Sequence, residues 1–475
     1  MKQIFKIQWI VLLIVILFSC RKEEFITDTS AKLEFSVDTI LFDTVFTSIG
    51  STTKQIRVYN RHKQSIKISS INLAGGDASD FRLNINGMPV NSAENIIIPE
   101  EDSIYVFVEV TVDPNGLNLP LVIQDSVVFV TNTNVQDIDL VAWGQDAHFI
   151  NGEYVETGTW INDKPYVVYN SMAVDSLQTL TIEAGTQIHF HRNSALFVYG
   201  TLIVNGSMDE PVVFQGDRLE EMYDDIPGQW GYIHILGYYG SKDNVINYAE
   251  IKNATLGILV DSVFNDNPTL KISNSKIENM TYAGIYAQGA EIYATNCVIA
   301  NCGQYAVGLV IGGSYEFYHC TIANYWGFSN RVTPSVVLNN YYIDVNENYQ
   351  VRDLEKATFG NCIIYGNREN ELVLDKYPYG DEGEFNYLFD HCFLRFDLED
   401  LDTTDGFFNN IYLNEDPGFL SVYDYDYQLD TIDATAKDKG SETIILSNMT
   451  DLQYDINQVN RLNDEGPDPG AYELE

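Results

Sequence analysis

The chain has 475 residues, 45 % of them hydrophobic and 13 % aromatic, a length and composition that suit at least two folded domains rather than a disordered polymer. Lys and Arg total 27 against 68 Asp and Glu, a net charge of -41. So acidic a surface repels phosphates and anionic headgroups, which excludes nucleic acid as a partner and requires any membrane attachment to be covalent. Calcium, a basic protein surface and neutral glycans all remain compatible with this charge.

Residues 1–20 read as a processing signal. Lys2 and Lys6 precede an apolar run, Ile10 to Phe18, that is about half the length needed to span a bilayer. The run ends in Leu17-Phe18-Ser19-Cys20, which resembles the lipobox of bacterial lipoproteins. That resemblance implies lipid on Cys20, including palmitate, as the mature N-terminus. Arg21-Lys22-Glu23-Glu24 resembles the surface-export signal of Bacteroidota lipoproteins, which implies the extracellular face of the outer membrane. Residues 21–31 then serve as a tether.

Residues 32–144 read as short strands. Gln55 to Asn60, Ser103 to Val110 and Val127 to Val130 alternate polar and apolar positions, the period a two-layer sandwich requires. Gly75-Gly76, Asn86-Gly87 and Pro114-Asn115-Gly116 supply turns. With Val58-Tyr59-Asn60, Asp80-Phe81-Arg82-Leu83 and the closing Asp139 to Gly144, the stretch resembles immunoglobulin-like domains of the Hydin and SPD-2 type. Such domains act as spacers or contact modules.

Residues 145–165 read as a connecting segment, and 166–415 as a solenoid. Strands of three to five residues punctuated by Gly begin at Leu180 to Phe190 and Ala195 to Gly206, and only stacking makes pieces so short stable. Their order resembles the right-handed parallel β-helix repeat family. Ile277, Ile299, Ile322, Ile343 and Ile364 recur at spacings of 22, 23, 21 and 21, and Asn274, Asn296, His319, Asn340 and Asn361 each stand three positions earlier. The Ile ladder is expected inside the core. The Asn ladder is expected at a bend, with each amide bonded to the next coil. Ser275, Cys297, Cys320, Tyr341 and Cys362 lie between the two ladders. Stacked Cys suits a small buried hydrophobe, and a disulfide is the alternative, Cys297–Cys320 between adjacent coils, where equivalent residues lie about 4.8 Å apart, or Cys297–Cys302 within one coil. No metal site is expected, since neighbouring strand residues point to opposite faces. Residues 416–475, ending in Asp468-Pro469-Gly470-Ala471-Tyr472-Glu473, resemble the closing segment of bacterial cell-surface β-helix proteins and are expected to cap the end of the solenoid.

The expected fold class is therefore all-β, a sandwich followed by a right-handed parallel β-helix. No catalytic residue is assigned. Asp224, Asp225, Asp243, Asp261, Asp266 and Asp344 are scattered, with no acid pair at one offset on adjacent coils. Ala323 is expected to face solvent. Tyr238, Tyr239, Tyr315, Tyr325 and Trp326 are the candidate interface aromatics. The reading these features favour is a non-catalytic surface lipoprotein that docks to an outer-membrane β-barrel or another lipoprotein, in protein insertion or nutrient capture. The rival is a protein that binds or degrades a polysaccharide, by lyase or glycosidase chemistry. No cofactor is expected beyond an optional calcium ion.

Overall fold

The computed structural model describes residues 24–475 apart from 48–49, 113–120, 238–242, 263–268, 398–405, 433 and 475. It divides into two compact units, Met1–Asp146 and Ala147–Glu475. Cys20 lies outside the described residues.

The first unit is a two-layer, immunoglobulin-like sandwich. One sheet orders Thr39–Phe46, Asn134–Gln145, Leu121–Thr131, Ile66–Leu73 and Ser92–Ile98, and the other orders Glu34–Phe35, Lys54–Tyr59, Ser103–Val110 and Phe81–Ile85. Strand alternation builds the layer between them. Ile104, Val106, Val108 and Val110 are buried on one side of a single strand, and meet Ile56, Val58, Phe81, Phe129 and Leu140 in one core.

The second unit is a three-sided parallel solenoid. Each coil contributes three short strands, and all pairings between coils are parallel among the described core strands, as in Leu180↔Leu202 and Ile299↔Ile322. The solenoid begins earlier than the sequence suggests. His148–Val155 pairs with Tyr166–Val174, and Gly158–Trp160 with Thr179–Glu183, so the stretch expected as a connector holds the first coil. Trp160 stacks on Tyr166 at 4.1 Å there and starts the core.

The inner Ile ladder is present, with one correction. Ile251, Ile277, Ile299, Ile322, Ile364 and Leu394 are in register on successive coils and buried. Ile343 is not among them. It belongs to a hairpin, Tyr341–Ile343 with Tyr349–Val351, and is 55 % exposed. The coil between Ile322 and Ile364 is longer by that hairpin and by the loop between Thr321–Asn324 and Val336–Asn339, which together place an isoleucine at the repeat spacing by accident.

The ladder before the isoleucines marks a corner. Asn274, Asn296, His319, Asn361 and His391 all have φ between 49° and 52°. Asn tolerates this left-handed conformation better than most residues, which explains its recurrence. The amides also bond between coils: Asn296 Nδ2 donates to Asn274 Oδ1 at 3.1 Å, and Asn361 Nδ2 to His319 Nε2 at 2.8 Å. Asn340 has left the ladder with Ile343. Just after the corner, Cys297, Cys320, Cys362 and Cys392 each donate a thiol to the carbonyl two residues earlier, as the Ser275 hydroxyl does at 2.7 Å. All five described cysteines are buried free thiols, so the Cys297–Cys320 disulfide is not formed. A small side chain with one donor fits this site because it fills the core and satisfies a carbonyl at once. Burial raises the thiols of Cys297 and Cys362 well above their ordinary range.

The C-terminal segment, expected as an end cap, covers a flank of the solenoid. It runs along the side of the solenoid, where Gly470 N donates to Asn361 O at 2.8 Å, Ala471 N to Thr321 Oγ1 at 2.9 Å and Tyr427 Oη to Asn301 Oδ1 at 2.7 Å. Beneath it lie the outward residues of the second face: Val298, Ala300, Ala323, Ile363 and Phe393. These strands are apolar on both sides, and an uncovered outer face would leave a large hydrophobic strip in water. Ala323 points away from the solenoid core, yet it is buried under Tyr427, Ala471 and Tyr472. Arg461 locks the segment, donating to Glu473 Oε2, Asn296 Oδ1 and the carbonyls of Asp468 and Gly470.

Candidate functional site

The second outer face is thus occupied. At its border, the strands Ala249–Lys252 and Lys276–Met280 carry a charge checkerboard, Glu250 opposite Lys276 and Lys252 opposite Glu278. Burial pushes Glu278 up to about 7, and Glu250 and Asp225 add to the shift against the two lysines. The two glutamates sit on adjacent coils but two positions out of register, so a search for acids at one offset passes over them.

The third face is where apolar and polar side chains are arranged along the solenoid with no described segment over them. Its strands include Leu196–Val198, Ile233–Ile235, Leu256–Asp261, Ala283–Gln288, Tyr305–Val310, Val336–Asn339 and Leu372–Asp375. In each, a core residue is followed by one outward residue and another core residue. Period-two alternation therefore builds one outward column: Phe197, His234, Leu259, Tyr286, Gly308, Val337 and Val373. At about 4.8 Å per coil, this stripe is roughly 29 Å long.

Its chemistry is aromatic and apolar. Phe197, Tyr232 and His234 form one cluster with ring centroids 6.0 Å apart. Tyr282, Tyr286 and Tyr305 form a second, at 5.6–6.4 Å. The Tyr286 ring lies over Gly308, where a Cβ would stand 2.6 Å from its Cδ2. Glycine at that coil lets the ring lie flat along the stripe rather than project from it.

A polar column runs beside the stripe. Asp261 pairs with Gln288 and Gln288 with Val310, and Asn339 pairs with Asp375. His234 Nε2 meets Asp261 Oδ2 at 3.0 Å, which joins the two columns. A flat apolar stripe edged by carboxylates and amides suits a ligand with one apolar face and a rim of hydroxyl groups. Among the described residues no group of three or more His, Cys, Asp or Glu is placed to hold a metal ion.

The three described aromatics singled out from the sequence fall elsewhere. Tyr315 is a core residue whose hydroxyl donates to the Gly312 carbonyl at 2.8 Å. Tyr325 lies under the C-terminal segment, with its ring centroid 6.3 Å from Phe419 and 6.1 Å from Tyr427. Trp326 is buried and donates to Ser329 Oγ at 2.9 Å. Tyr238 and Tyr239 lie outside the described residues. The members of the stripe stand singly in the sequence, without the adjacent aromatics that mark Tyr325-Trp326. The available signal was the recurring triplet of core, outward and core residues, such as Ile233-His234-Ile235 and Ile285-Tyr286-Ala287.

One family model agrees with this geometry at the level of fold. The family described as "Right handed beta helix region" matches residues 256–377. The second unit is a right-handed parallel β-helix. No curated protein matches the chain. Among solved structures, a family 123 glycoside hydrolase from Clostridium perfringens is 7 % identical with a TM-score of 0.18, covering 25 % of this chain and 30 % of its own. PapD-like domain 7 of human CEP192 is 12 % identical with a TM-score of 0.17, covering 24 % and 85 %. The periplasmic chaperone SfaE is 15 % identical with a TM-score of 0.17, covering 28 % and 71 %. None of these likenesses says what this chain binds or does.

Proposed function

We propose that this protein binds a neutral polysaccharide along the open third face of its β-helix. The observation that carries the reading is the pairing of two columns: an aromatic and apolar stripe from Phe197 to Val373, and beside it Asp261, Gln288 and Asp375. Sugar rings stack their C–H faces on aromatic and aliphatic surface, and their hydroxyls bond to carboxylates and amides. The same carboxylates, in a chain of net charge -41, repel uronic acid polymers, so the ligand class is neutral. Binding, rather than cleavage, is the activity proposed.

The test is retention of the purified protein by a panel of neutral polysaccharides: barley β-glucan, arabinoxylan, α-mannan, galactomannan and starch, with alginate as the acidic control. Retention by at least one neutral glycan is expected, with none by alginate. Phe197→Ala combined with Tyr286→Ala should weaken that binding about tenfold, the worth of two stacked rings at about 0.5–1.5 kcal/mol each. Docking to an outer-membrane β-barrel or another lipoprotein would claim the same face. A protein that co-purifies at fixed stoichiometry, is lost in the same double variant and is accompanied by no glycan retention would replace the polysaccharide with a protein partner.

The same proposal places the protein at the outer surface of an outer membrane, held by lipid on Cys20. Its support is the Leu17-Phe18-Ser19-Cys20 motif, together with an acidity that disfavours electrostatic attachment. Cys20→Ala should leave the protein unprocessed or move it out of the membrane fraction. An intact mass without acyl chains on a wild-type mature protein would refute the anchor.

A further inference from the structure

The stripe ends among tyrosines. The third face has its last described strand at Leu372–Asp375, while later coils, at Phe393–Leu394 and Tyr412–Leu413, continue another face. Beside the two final coils of the stripe, the chain leaves the polar column twice. After Asn339 it enters the hairpin that holds Tyr341 and Tyr349, and after Asp375 it enters the turn that holds Tyr377 and Tyr379.

These four rings form one cluster. Centroid separations are 5.7 Å for Tyr341–Tyr349, 6.0 Å for Tyr341–Tyr377, 5.7 Å for Tyr349–Tyr377, 5.0 Å for Tyr349–Tyr379 and 6.0 Å for Tyr377–Tyr379. Asp375 stands where the cluster meets the stripe, accepting from Tyr341 Oη at 3.0 Å and from Asn339 Nδ2 at 2.8 Å. Those bonds fix the carboxylate and leave further lone pairs on its two oxygens for hydroxyl donors. Tyr349 is 38 % exposed and Tyr379 69 % exposed, more than a packed core would leave open.

A floor and a wall therefore meet at this place. Val337 and Val373 continue the stripe as the floor. Tyr341 and Tyr349 stand beside it on a hairpin whose tip residue, Val345, is fully exposed, Tyr377 and Tyr379 stand on the turn after Asp375, and Asp375 lies at the junction. Elsewhere the described residues of the stripe offer a sugar ring one surface; here they offer two, with a fixed acceptor between them. Two contacting surfaces bury more of a ligand than one, and rigid aromatic anchors lose little entropy on binding.

We infer that Tyr341, Tyr349, Tyr377 and Tyr379, with Asp375 at their foot, form the principal subsite of the face, gripping one neutral sugar residue of the polysaccharide while the rest of the stripe guides the chain. This inference rests on the glycan-binding reading. It adds that affinity is concentrated at the final coils of the face rather than spread evenly along it.

The experiment uses the full chain and whichever polysaccharide of the panel retains it. Affinity gel electrophoresis compares wild type, Tyr286→Ala, and the double variant Tyr349→Ala with Tyr379→Ala. The expected result is a loss of about tenfold or more for the double variant, larger than that for Tyr286→Ala, since two exposed rings are removed from the anchoring subsite. Nitration of tyrosines by tetranitromethane, read by peptide mass spectrometry on the wild-type protein, supplies a measurement that needs no variant. Bound polysaccharide should protect Tyr349 and Tyr379. Retention that falls with Tyr286→Ala but not with the double variant, and no protection of either tyrosine, would overturn the subsite and leave the glycan reading standing. Failure of every neutral glycan to bind would overturn that reading, and the subsite with it.

Discussion

Truncation of Ile322 to Ala tests whether the coils are placed correctly. Ile322 is fully buried between Ile299 on one adjacent coil and Ile364 on the other, with Phe317, Cys320 and Leu338 in the same core. Losing three carbon groups removes roughly 2.4 kcal/mol of transfer free energy, at about 0.8 kcal/mol per group. Neighbouring coils cannot move inward to fill the space, because each is hydrogen-bonded at the 4.8 Å spacing on both sides. A residual cavity of about 40–60 Å³, at about 24 cal/mol per Å³, adds roughly 1 kcal/mol. The expected cost is therefore about 3–4 kcal/mol, read by urea unfolding with tryptophan fluorescence. Trp160, Trp230 and Trp326 are buried reporters in the same unit. The proper control is Val373→Ala on the open face, 38 % exposed, expected to cost less than about 1 kcal/mol. Ala323→Ser does not serve as a mild control, because the C-terminal segment covers that residue and a buried hydroxyl without a partner costs about 1–3 kcal/mol. A cost for Ile322→Ala no greater than that for Val373→Ala would refute the coil assignment.

Asn361 ties three parts of the second unit together, at φ 51° with its amide bonded to His319, the Ser441 carbonyl and the Ser441 N–H. Asn361→Ala should destabilise by about 2–4 kcal/mol, from lost buried bonds and left-handed backbone strain, and Asn361→Gly should recover only the backbone share; equal losses in urea unfolding would show that strain has no part in it. Because His319 Nε2 accepts from Asn361, its Nδ1 carries the proton donated to the Asp468 carbonyl, and burial lowers the pKa of this ring so that it stays neutral. For Glu278, burial raises the folded-state value to about 7, so the stability its protonated form contributes is lost as pH rises from the ordinary carboxylate range through 7. Glu278→Gln should thus match wild type in melting temperature near pH 5 and exceed it near pH 8.5. A difference independent of pH would contradict the burial of that carboxyl.

Much of the fold is legible in the sequence because a solenoid repeats its local rules. Ile277, Ile299 and Ile322 recur at one coil length, and the Asn and Cys positions before them recur for reasons contained in a single corner: a left-handed φ and a carbonyl two residues back that needs a donor. Alternation likewise marks the strands of the sandwich. The sequence also determines the net charge, and with it the classes of ligand the surface repels.

Tertiary structure alone decided the rest, because outward-facing residues obey no local rule about what covers them. Val298, Ala300 and Ala323 differ little in sequence context from Leu259 and Val337, yet the first three lie beneath a segment more than a hundred residues further along the chain and the last two lie beneath no described segment. The same segment carries the Gly-Ala-Tyr-Glu ending, whose composition suits a cap but whose backbone bonds reach Asn361 and the side chain of Thr321 on the flank. Periodicity misled at Ile343, since the hairpin and the longer loop before Val336 together add nearly a coil's length, which keeps the count while Ile343 leaves the core. The stripe from Phe197 to Val373 comes from residues spread over more than a third of the chain, and only their stacking one rung apart makes them a single surface.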